Sequence, residues 1–155
     1  MTSGNRPQIR AYDPSDWPRL CVIHDAARKD ELAYKVGVAA FRSLEDTFED
    51  EGLFDADRVV AERDGIVAGF AAFDDTELTW LYVDPALSRR GVGRALLRHA
   101  MSRSNGTMQI DLLEGNIPAQ ALYEAEGFVV IDRRQGNLIG NESFPATGLV
   151  LRHDV

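Results

Sequence analysis

Residues 77–98 read Glu-Leu-Thr-Trp-Leu-Tyr-Val-Asp-Pro-Ala-Leu-Ser-Arg-Arg-Gly-Val-Gly-Arg-Ala-Leu-Leu-Arg, and this stretch decides the fold. An apolar, aromatic-rich run from Leu78 to Val83 predicts a strand that ends at Asp84-Pro85. A basic loop with two glycines follows, and apolar residues at helical spacing begin after it. A strand, a glycine loop and a helix start bring free backbone N–H groups and the positive end of a helix dipole to one spot. The stretch therefore predicts a phosphate-binding site.

The composition is that of one soluble globular domain covering residues 1–155, with 45% hydrophobic and 27% charged residues. The net charge of -8 argues against sequence-independent binding to nucleic acid and mildly favours a cationic partner such as an amine. A single cysteine, Cys21, cannot form an intramolecular disulfide and fits a reducing compartment. No apolar run reaches membrane-spanning length, and the N-terminus lacks the apolar segment of a signal peptide. We therefore expect a cytoplasmic protein that does not bind a membrane.

The hydrophobic pattern predicts a mixed α/β sandwich. Asp64-Gly65 separates two apolar runs and is a strong signal for a two-residue hairpin, so those runs should be antiparallel neighbours. The predicted strands cover 8–12, 58–63, 66–74, 78–83, 108–113, 128–132 and 147–151. The predicted helices run from 17 to about 32, over 33–50, from 92 to near 105, and over 117–126. A polar loop rich in glycine and asparagine is expected between the last two strands.

Two common phosphate-binding motifs do not fit the glycine loop. A nucleotide P-loop ends in Gly-Lys-Ser/Thr, whereas this loop ends Gly91-Val-Gly-Arg94. The dinucleotide fingerprint requires a third glycine where this chain has Leu96. A loop that only turns the chain is the alternative that the two glycines alone leave open.

Two longer segments narrow the choice. Val83-Asp84-Pro85, followed three residues later by Ser-Arg-Arg-Gly-Val-Gly-Arg-Ala-Leu-Leu over 88–97, resembles the acyl-CoA pyrophosphate loop of the GNAT superfamily of N-acyltransferases. Downstream, the chain is similar to a second GNAT segment at Asn116, Ala119, Leu122-Tyr123 and Gly127-Phe128. The resemblance implies a mostly antiparallel central sheet flanked by helices, although residues 13–57 and 133–146 match only in outline. Ser88 departs from the Gln or Arg that is usual at that loop position.

The resemblance also implies acetyl-CoA as the cosubstrate and no metal. The backbone of residues 81–83 should pair with the pantetheine arm like an added strand. The amides of residues 89–94 should hold the pyrophosphate, with Arg89 or Arg90 in place of the side-chain donor that Ser88 does not supply. The cofactor-binding residues implied in this way are Leu81, Tyr82, Val83, Arg89, Arg90, Gly91, Val92, Gly93, Arg94, Asn116 and Tyr123.

Three residues are candidates for moving protons. Tyr123 matches the GNAT tyrosine that acts as general acid toward the CoA thiolate; otherwise it is a buried core residue. A lysine-like amine with a pKa of about 10.4 is mostly protonated at neutral pH, so a base that removes its proton is useful. Glu77 and Asp111 occupy positions where GNAT enzymes carry such a base. The alternative for Glu77 is a solvated charge at a strand end, and the alternative for Asn116 is a helix cap without a role in binding. A further alternative is that ordered water accepts the proton of the amine and no dedicated base exists.

The sequence therefore predicts a cytoplasmic, acetyl-CoA-dependent N-acetyltransferase that acetylates a primary amine of a small molecule or peptide by direct transfer. The alternative is a non-catalytic acyl-CoA-binding sensor or interaction module. A nucleotide-binding protein, which would prefer ATP or NAD to CoA, is a third alternative. The sequence leaves open the acceptor, the use of longer acyl chains and the formation of a homodimer, which is common in the superfamily.

Overall fold

The computed structural model describes residues 6–88, 90–139 and 141–154. The strands are β1 (Gln8–Ala11), β2 (Asp57–Arg63), β3 (Ile66–Phe73), β4 (Glu77–Val83), β5 (Thr107–Leu113), β6 (Val129–Asn137) and β7 (Pro145–Asp154). The helices are α1 (Trp17–Ala33), α2 (Leu44–Thr47), α3 (Val92–Ser102) and α4 (Ile117–Ala125). None of the helices in the described ranges is long and apolar enough to cross a membrane.

The strands of the described ranges form one sheet in the order β1-β2-β3-β4-β5-β7-β6. Neighbouring strands are antiparallel except β4 and β5, so the predicted mixed, mostly antiparallel sheet is confirmed. The predicted hairpin is also confirmed. Asp64 and Gly65 have φ values of 54° and 78°, and a two-residue turn with both central φ values positive matches the twist of the strands it joins.

Each face of the sheet is covered by helices. On one face, α3 and α4 contribute Leu96, Leu97 and Tyr123 to an apolar cluster with β3, β4 and β5, which we call the α3-side core. On the other face, α1 and α2 contribute Leu20 and Leu44 to a second cluster with β2, β3 and β4, the α1-side core. The sheet therefore has little room for ligands except where its strands separate.

Strands β4 and β5 separate along their length. Their register pairs only Glu77 with Gln109 and Leu78 with Ile110, so the edge of β4 beyond Leu78 has no strand partner on the β5 side. Opposite this edge, the register between β3 and β4 skips Thr79, which is the extra residue of a β-bulge. The sheet consequently opens at its centre and leaves backbone groups of β4 available to a ligand.

Two predicted segments are wrong in their boundaries. Residues 33–50 do not form one helix, because the chain turns at Gly37, where φ is 106°, and then makes a short 3-10 turn at Val38–Ala40 before α2. Ser43 caps α2 by accepting a hydrogen bond from the Asp46 amide. The last two strands also extend well into the predicted polar loop, because β6 runs to Asn137 and β7 begins at Pro145.

Candidate active site

A groove of about 600 Å³ lies where β4 separates from β5. Its walls are α1, the end of β4, the loop that leads into α3, and the start of α4. Pockets for ligands of drug or cofactor size usually have volumes of about 300–1,000 Å³. A smaller cavity of about 80 Å³ lies beside it between β4 and β5, and Tyr123 and Asn116 line both spaces. We call the larger space the groove and the smaller one the inner cavity.

The start of α3 forms one end of the groove. Gly91 is the residue before the helix and has a φ of 80°, a conformation that glycine adopts without steric cost. No side chain of the described residues caps this end, and the first helical hydrogen bond runs from the Ala95 amide to the Gly91 carbonyl at 3.0 Å. Gly91, Val92, Gly93 and Arg94 all line the groove. Amides that lack helical partners, at the positive end of a helix dipole, are suited to an anionic phosphate.

The arginines of the loop differ in position. Arg94 lines the groove, and its Nε lies 3.2 Å from Oε2 of Glu126, so its charge is already paired. Arg90 is exposed and is not among the residues that line the groove. Arg89 lies outside the described residues. In the described part of the loop, the backbone at the helix start lines the groove and the Arg90 side chain does not.

An ion pair fixes the start of the loop. Asp84 Oδ2 accepts a hydrogen bond at 2.6 Å from Arg19 of α1, and Asp84 Oδ1 accepts one from the Ala86 amide at 3.0 Å. Arg19 also donates through Nε to the Val67 carbonyl at 2.8 Å. Both carboxylate oxygens of Asp84 are thus used to hold the turn after β4 against α1. The Asp-Pro pair that ended the predicted strand is a structural anchor for the glycine loop.

Leu81, Tyr82 and Val83 line the long wall of the groove. They pair with β3 on one side, through Ala71, Phe70 and Gly69 respectively, and have no strand partner on the other. An extended ligand can hydrogen-bond to such an edge as an additional strand would.

Tyr123 and Asn116 lie at the junction of the groove and the inner cavity. Tyr123 is 6% exposed, and burial together with the negative charge of Glu31 raises the pKa of its phenol. The hydroxyl therefore stays protonated at neutral pH and can donate a hydrogen bond. Asn116 is the N-cap of α4, accepting a hydrogen bond from the Ala119 amide at 3.4 Å, so its capping role is observed alongside its place on the groove wall.

The two candidate bases lie in different places. Asp111 is exposed and lines the inner cavity together with Tyr123. Glu77 lies in the paired part of β4 and lines neither space. Burial, followed by the charges of Asp111 and Asp74, raises the pKa of Glu77 above its ordinary value. The structure thus brings Asp111, Asn116 and Tyr123 together and leaves Glu77 at the closed end of the strand pair.

Glu31 is a site residue that sequence reasoning missed. It lines both the groove and the inner cavity, and its side chain is 15% exposed. Ala27, Asp30 and Tyr34 of the same helix region also line the groove. These positions are related by i, i+3, i+4 and i+7 spacing, which places them on one face of a helix. That spacing was the available signal, but it does not tell which surface the face meets.

In the described part of the chain, no group of three or more His, Cys, Asp or Glu side chains is arranged to hold a metal ion.

Comparison with known proteins identifies the class. Residues 55–130 match the family model of the acetyltransferase (GNAT) domain. The uncharacterized N-acetyltransferase YafP of Escherichia coli K12 is 27% identical over 134 residues, which cover 84% of this chain and 87% of the relative.

Solved structures agree with the sequence comparison. The crystal structure of the ribosomal-protein-S18-alanine N-acetyltransferase from Escherichia coli superposes with a TM-score of 0.73 at 24% identity, covering 97% of this chain and 94% of the other. The structure of yncA, a putative acetyltransferase from Salmonella typhimurium with its cofactor acetyl-CoA, gives a TM-score of 0.69 at 21% identity, covering 96% and 94%. Fold and family together define an acyltransferase. The chain belongs to the GNAT superfamily of N-acetyltransferases.

Proposed function

We propose that this protein transfers the acetyl group of acetyl-CoA directly to a primary amine of a small molecule or peptide. One observation carries the proposal. The unpaired edge of β4, the uncapped start of α3 and the buried phenol of Tyr123 all line one continuous groove. The edge of β4 suits an extended pantetheine arm, the start of α3 suits a diphosphate, and the phenol of Tyr123 suits a thiol leaving group.

The groove fits acetyl-CoA by its chemistry. The amides of Val92, Gly93 and Arg94 are available to the diphosphate, and the free backbone of Leu81–Val83 is available to the amides of the pantetheine arm. Acetyl-CoA supplies the acetyl group in the activated form of a thioester. The inner cavity of about 80 Å³ favours a short acyl group over a long one.

The chain supplies two groups for the transfer itself. A backbone N–H on the free edge of β4 polarises the thioester carbonyl, as donors in an oxyanion hole do. Tyr123 donates its proton to the sulfur as the carbon–sulfur bond breaks, and its raised pKa keeps that proton in place until then. Donation by a positioned acid typically accelerates a reaction by about 10²–10⁴-fold.

The acceptor must lose a proton to become a nucleophile. Asp111 supports this step by its place in the inner cavity, and Glu77 supports it by its raised pKa. A water molecule relaying the proton to either carboxylate is the remaining route. The cytoplasmic location and the homodimer stay predictions.

An acceptor screen tests the proposal. The full chain is incubated with acetyl-CoA and a panel of alkylamines, amino acids and peptides, and free CoA thiol and acetylated product are measured. We expect amine-dependent thiol release in equal amounts with N-acetylated product. Micromolar binding of CoA with no acetylated product from any acceptor would favour the acyl-CoA sensor instead. Tighter binding of ATP or NAD than of CoA would contradict both.

A further inference from the structure

Glu31 of α1 contacts groups from two other elements of the site. Its Oε1 accepts a hydrogen bond from Arg28 on the same helix and a longer one, at 3.4 Å, from the Tyr82 hydroxyl of β4. Its Oε2 accepts from Nδ2 of Asn116, the residue before α4, at 3.4 Å. The carboxylate therefore lies where the groove and the inner cavity meet, beside the two elements that flank the proposed thioester position.

The carboxylate has unused hydrogen-bonding capacity. An ionised carboxylate offers about four acceptor sites on its two oxygens. The two contacts at 3.4 Å are at the long end of hydrogen-bond distances and are weak. Arg28 binds Oε1 and orients the group, and among the described residues Oε2 has only the weak contact to Asn116. A donor with several N–H bonds can bind Oε2 without displacing Arg28.

The charge of Glu31 acts at short range inside the site. The side chain is 15% exposed, so its field is screened less than that of a surface carboxylate. Burial lowers the pKa of Arg28, but Tyr82, Glu31 and Glu51 together raise it above its ordinary value, so the guanidinium that contacts Oε1 of Glu31 also feels the charge of Glu51. A cation that enters from the groove therefore meets a carboxylate that is only partly neutralised.

We propose that Glu31 binds the ammonium group of the acceptor and so selects cationic alkylamines over uncharged aromatic amines. This inference rests on the function proposed above and specifies its acceptor. The ammonium donates to Oε2 at the mouth of the inner cavity, next to the phenol of Tyr123. Glu31 is a specificity-determining residue in this scheme, and the removal of the proton stays with the groups considered above.

A structural brace is the rival role for Glu31, because its contacts join α1, β4 and α4. Glu31→Gln separates the two roles, since glutamine keeps the shape and can still accept hydrogen bonds but carries no charge. Glu31→Asp keeps the charge on a shorter stem. Glu49→Gln is a matched control, because Glu49 is exposed and lines neither the groove nor the inner cavity.

The decisive measurement is calorimetric binding of amines to the complex of the full chain with CoA, where no transfer can occur. The probes are 1,5-diaminopentane and lysine methyl ester as alkylammonium ions, and aniline as an amine that is uncharged at neutral pH. We expect Glu31→Gln to raise the Kd of the better-bound alkylamine about tenfold or more, which is about 1.4 kcal/mol. The Kd values of aniline and of CoA should stay within about twofold. Glu31→Asp should retain the preference for the charged amine, and Glu49→Gln should match the parent.

Two results would overturn the inference. Unchanged alkylamine binding in Glu31→Gln would show that the charge of Glu31 does not contribute to recognition of the amine. A parallel loss of alkylamine, aniline and CoA binding, with a lower melting temperature, would identify Glu31 as a brace. Failure of the proposed function is distinguishable from both, because the parent protein would then bind no amine on its CoA complex and release no thiol in the acceptor screen.

Discussion

At the scale of single residues, the environment of Tyr123 sets what its hydroxyl can do. The ring packs in the α3-side core, with its centroid 6.1 Å from that of Phe128, while the residue also lines the groove. A phenol that is buried and close to a carboxylate resists ionisation, as the raised pKa indicates. Such a phenol stays protonated at neutral pH and can donate a hydrogen bond.

Replacement of Tyr123 by phenylalanine removes only the hydroxyl. We expect kcat to fall about 100-fold, within the range typical of general acid catalysis, while the Kd of acetyl-CoA stays nearly constant. Thiol release at saturating substrates and calorimetry with acetyl-CoA give the two values. Tyr12→Phe is the control, because Tyr12 packs against Phe54 in the aromatic part of the α1-side core, away from the groove. An unaltered kcat in Tyr123→Phe would exclude the role as acid.

The pH dependence of the rate distinguishes Glu77 from Asp111. If Glu77 is the base, kcat/KM requires its ionised form and falls as the pH drops through the raised pKa. Glu77→Gln then abolishes this acidic limb. Asp111→Asn keeps the limb but moves it to lower pH, because the loss of a negative neighbour lowers the pKa of Glu77. If Asp111→Asn abolishes the fall of kcat/KM at acidic pH and Glu77→Gln preserves it, the base is Asp111. If the fall remains in both variants, water accepts the proton.

At the scale of elements, the start of α3 is the place where the proposed diphosphate would approach the backbone. A Cβ added at Gly91 would have no neighbour within 4 Å among the residues that the structure describes. Gly65, in the β2–β3 turn, has nearly the same φ and is likewise open among the described residues, but it does not line the groove. The two glycines therefore form a natural pair for comparison.

Gly91→Glu should weaken CoA binding by at least about tenfold, because its side chain would occupy the position of the diphosphate and its negative charge would repel the diphosphate. Gly65→Glu should carry the same backbone strain, of order ~1–2 kcal/mol, and leave CoA binding unchanged. Calorimetry with CoA and urea unfolding of both variants separate the two effects. Equal CoA affinities in the two variants would contradict the assignment of the loop.

Close packing of α3 on the sheet depends on a third glycine. A Cβ at Gly69 would lie 2.9 Å from the Tyr82 carbonyl oxygen and 2.9 Å from Cγ1 of Val92. Gly69→Ala should destabilise the fold by about 1–3 kcal/mol, the usual cost of overpacking. Gly136→Ala on the exposed strand β6, where a Cβ meets nothing within 4 Å, should change stability by less than about 0.5 kcal/mol. Urea unfolding measures both, and equal stabilities would contradict the close approach.

How far the sequence predicted each element depended on how local its determinants were. The hairpin at Asp64-Gly65 and the strand that ends at Asp84 rest on neighbouring residues, so their turn chemistry was readable. The predicted helix over 33–50 failed because Val36, Ala40, Leu44 and Phe48 have helical spacing but pack in two different clusters. A periodic stripe shows that residues are buried, and it does not show that they are buried together.

The same distinction holds for the site. The loop residues and Tyr123 belong to short motifs, whereas Glu31 meets Tyr82 and Asn116 across 51 and 85 residues of sequence. Its place depends on how α1 packs against the opened sheet, which no local pattern encodes.

At the scale of the whole molecule, the sheet consists of two parts, β1–β4 and β5–β7, that are joined by a short pairing of β4 with β5. β1–β4 and β5–β7 are connected through the register at Glu77–Gln109 and Leu78–Ile110. A ligand that lies along the unpaired edge of β4 and also touches α4 should hold the two parts together. Binding to the native state alone also stabilises it by mass action.

Acetyl-CoA at about 100 times its Kd should therefore raise the free energy of unfolding by about 2.7 kcal/mol. Amide hydrogen exchange should slow most in residues 79–83, 92–94 and 116–123, the segments that contribute most of the lining of the groove and the inner cavity. Exchange with and without acetyl-CoA, followed by mass spectrometry, checks this pattern. Uniform slowing over the whole chain, or slowing confined to β1 and β2, would argue against binding in the groove.

The ion pair between Arg19 and Asp84 has a consequence for where insertions can be tolerated in α1. Arg19 and Glu31 lie twelve positions apart on the uninterrupted helix α1, which is about 18 Å at about 1.5 Å per residue. The helix therefore sets both a distance and a rotational phase between the ion pair that anchors the glycine loop and the carboxylate of Glu31, to which we give the acceptor. Insertion of one residue between them would turn Glu31 by about 100° around the helix axis relative to Arg19. Relatives that keep both residues in these roles should conserve this spacing.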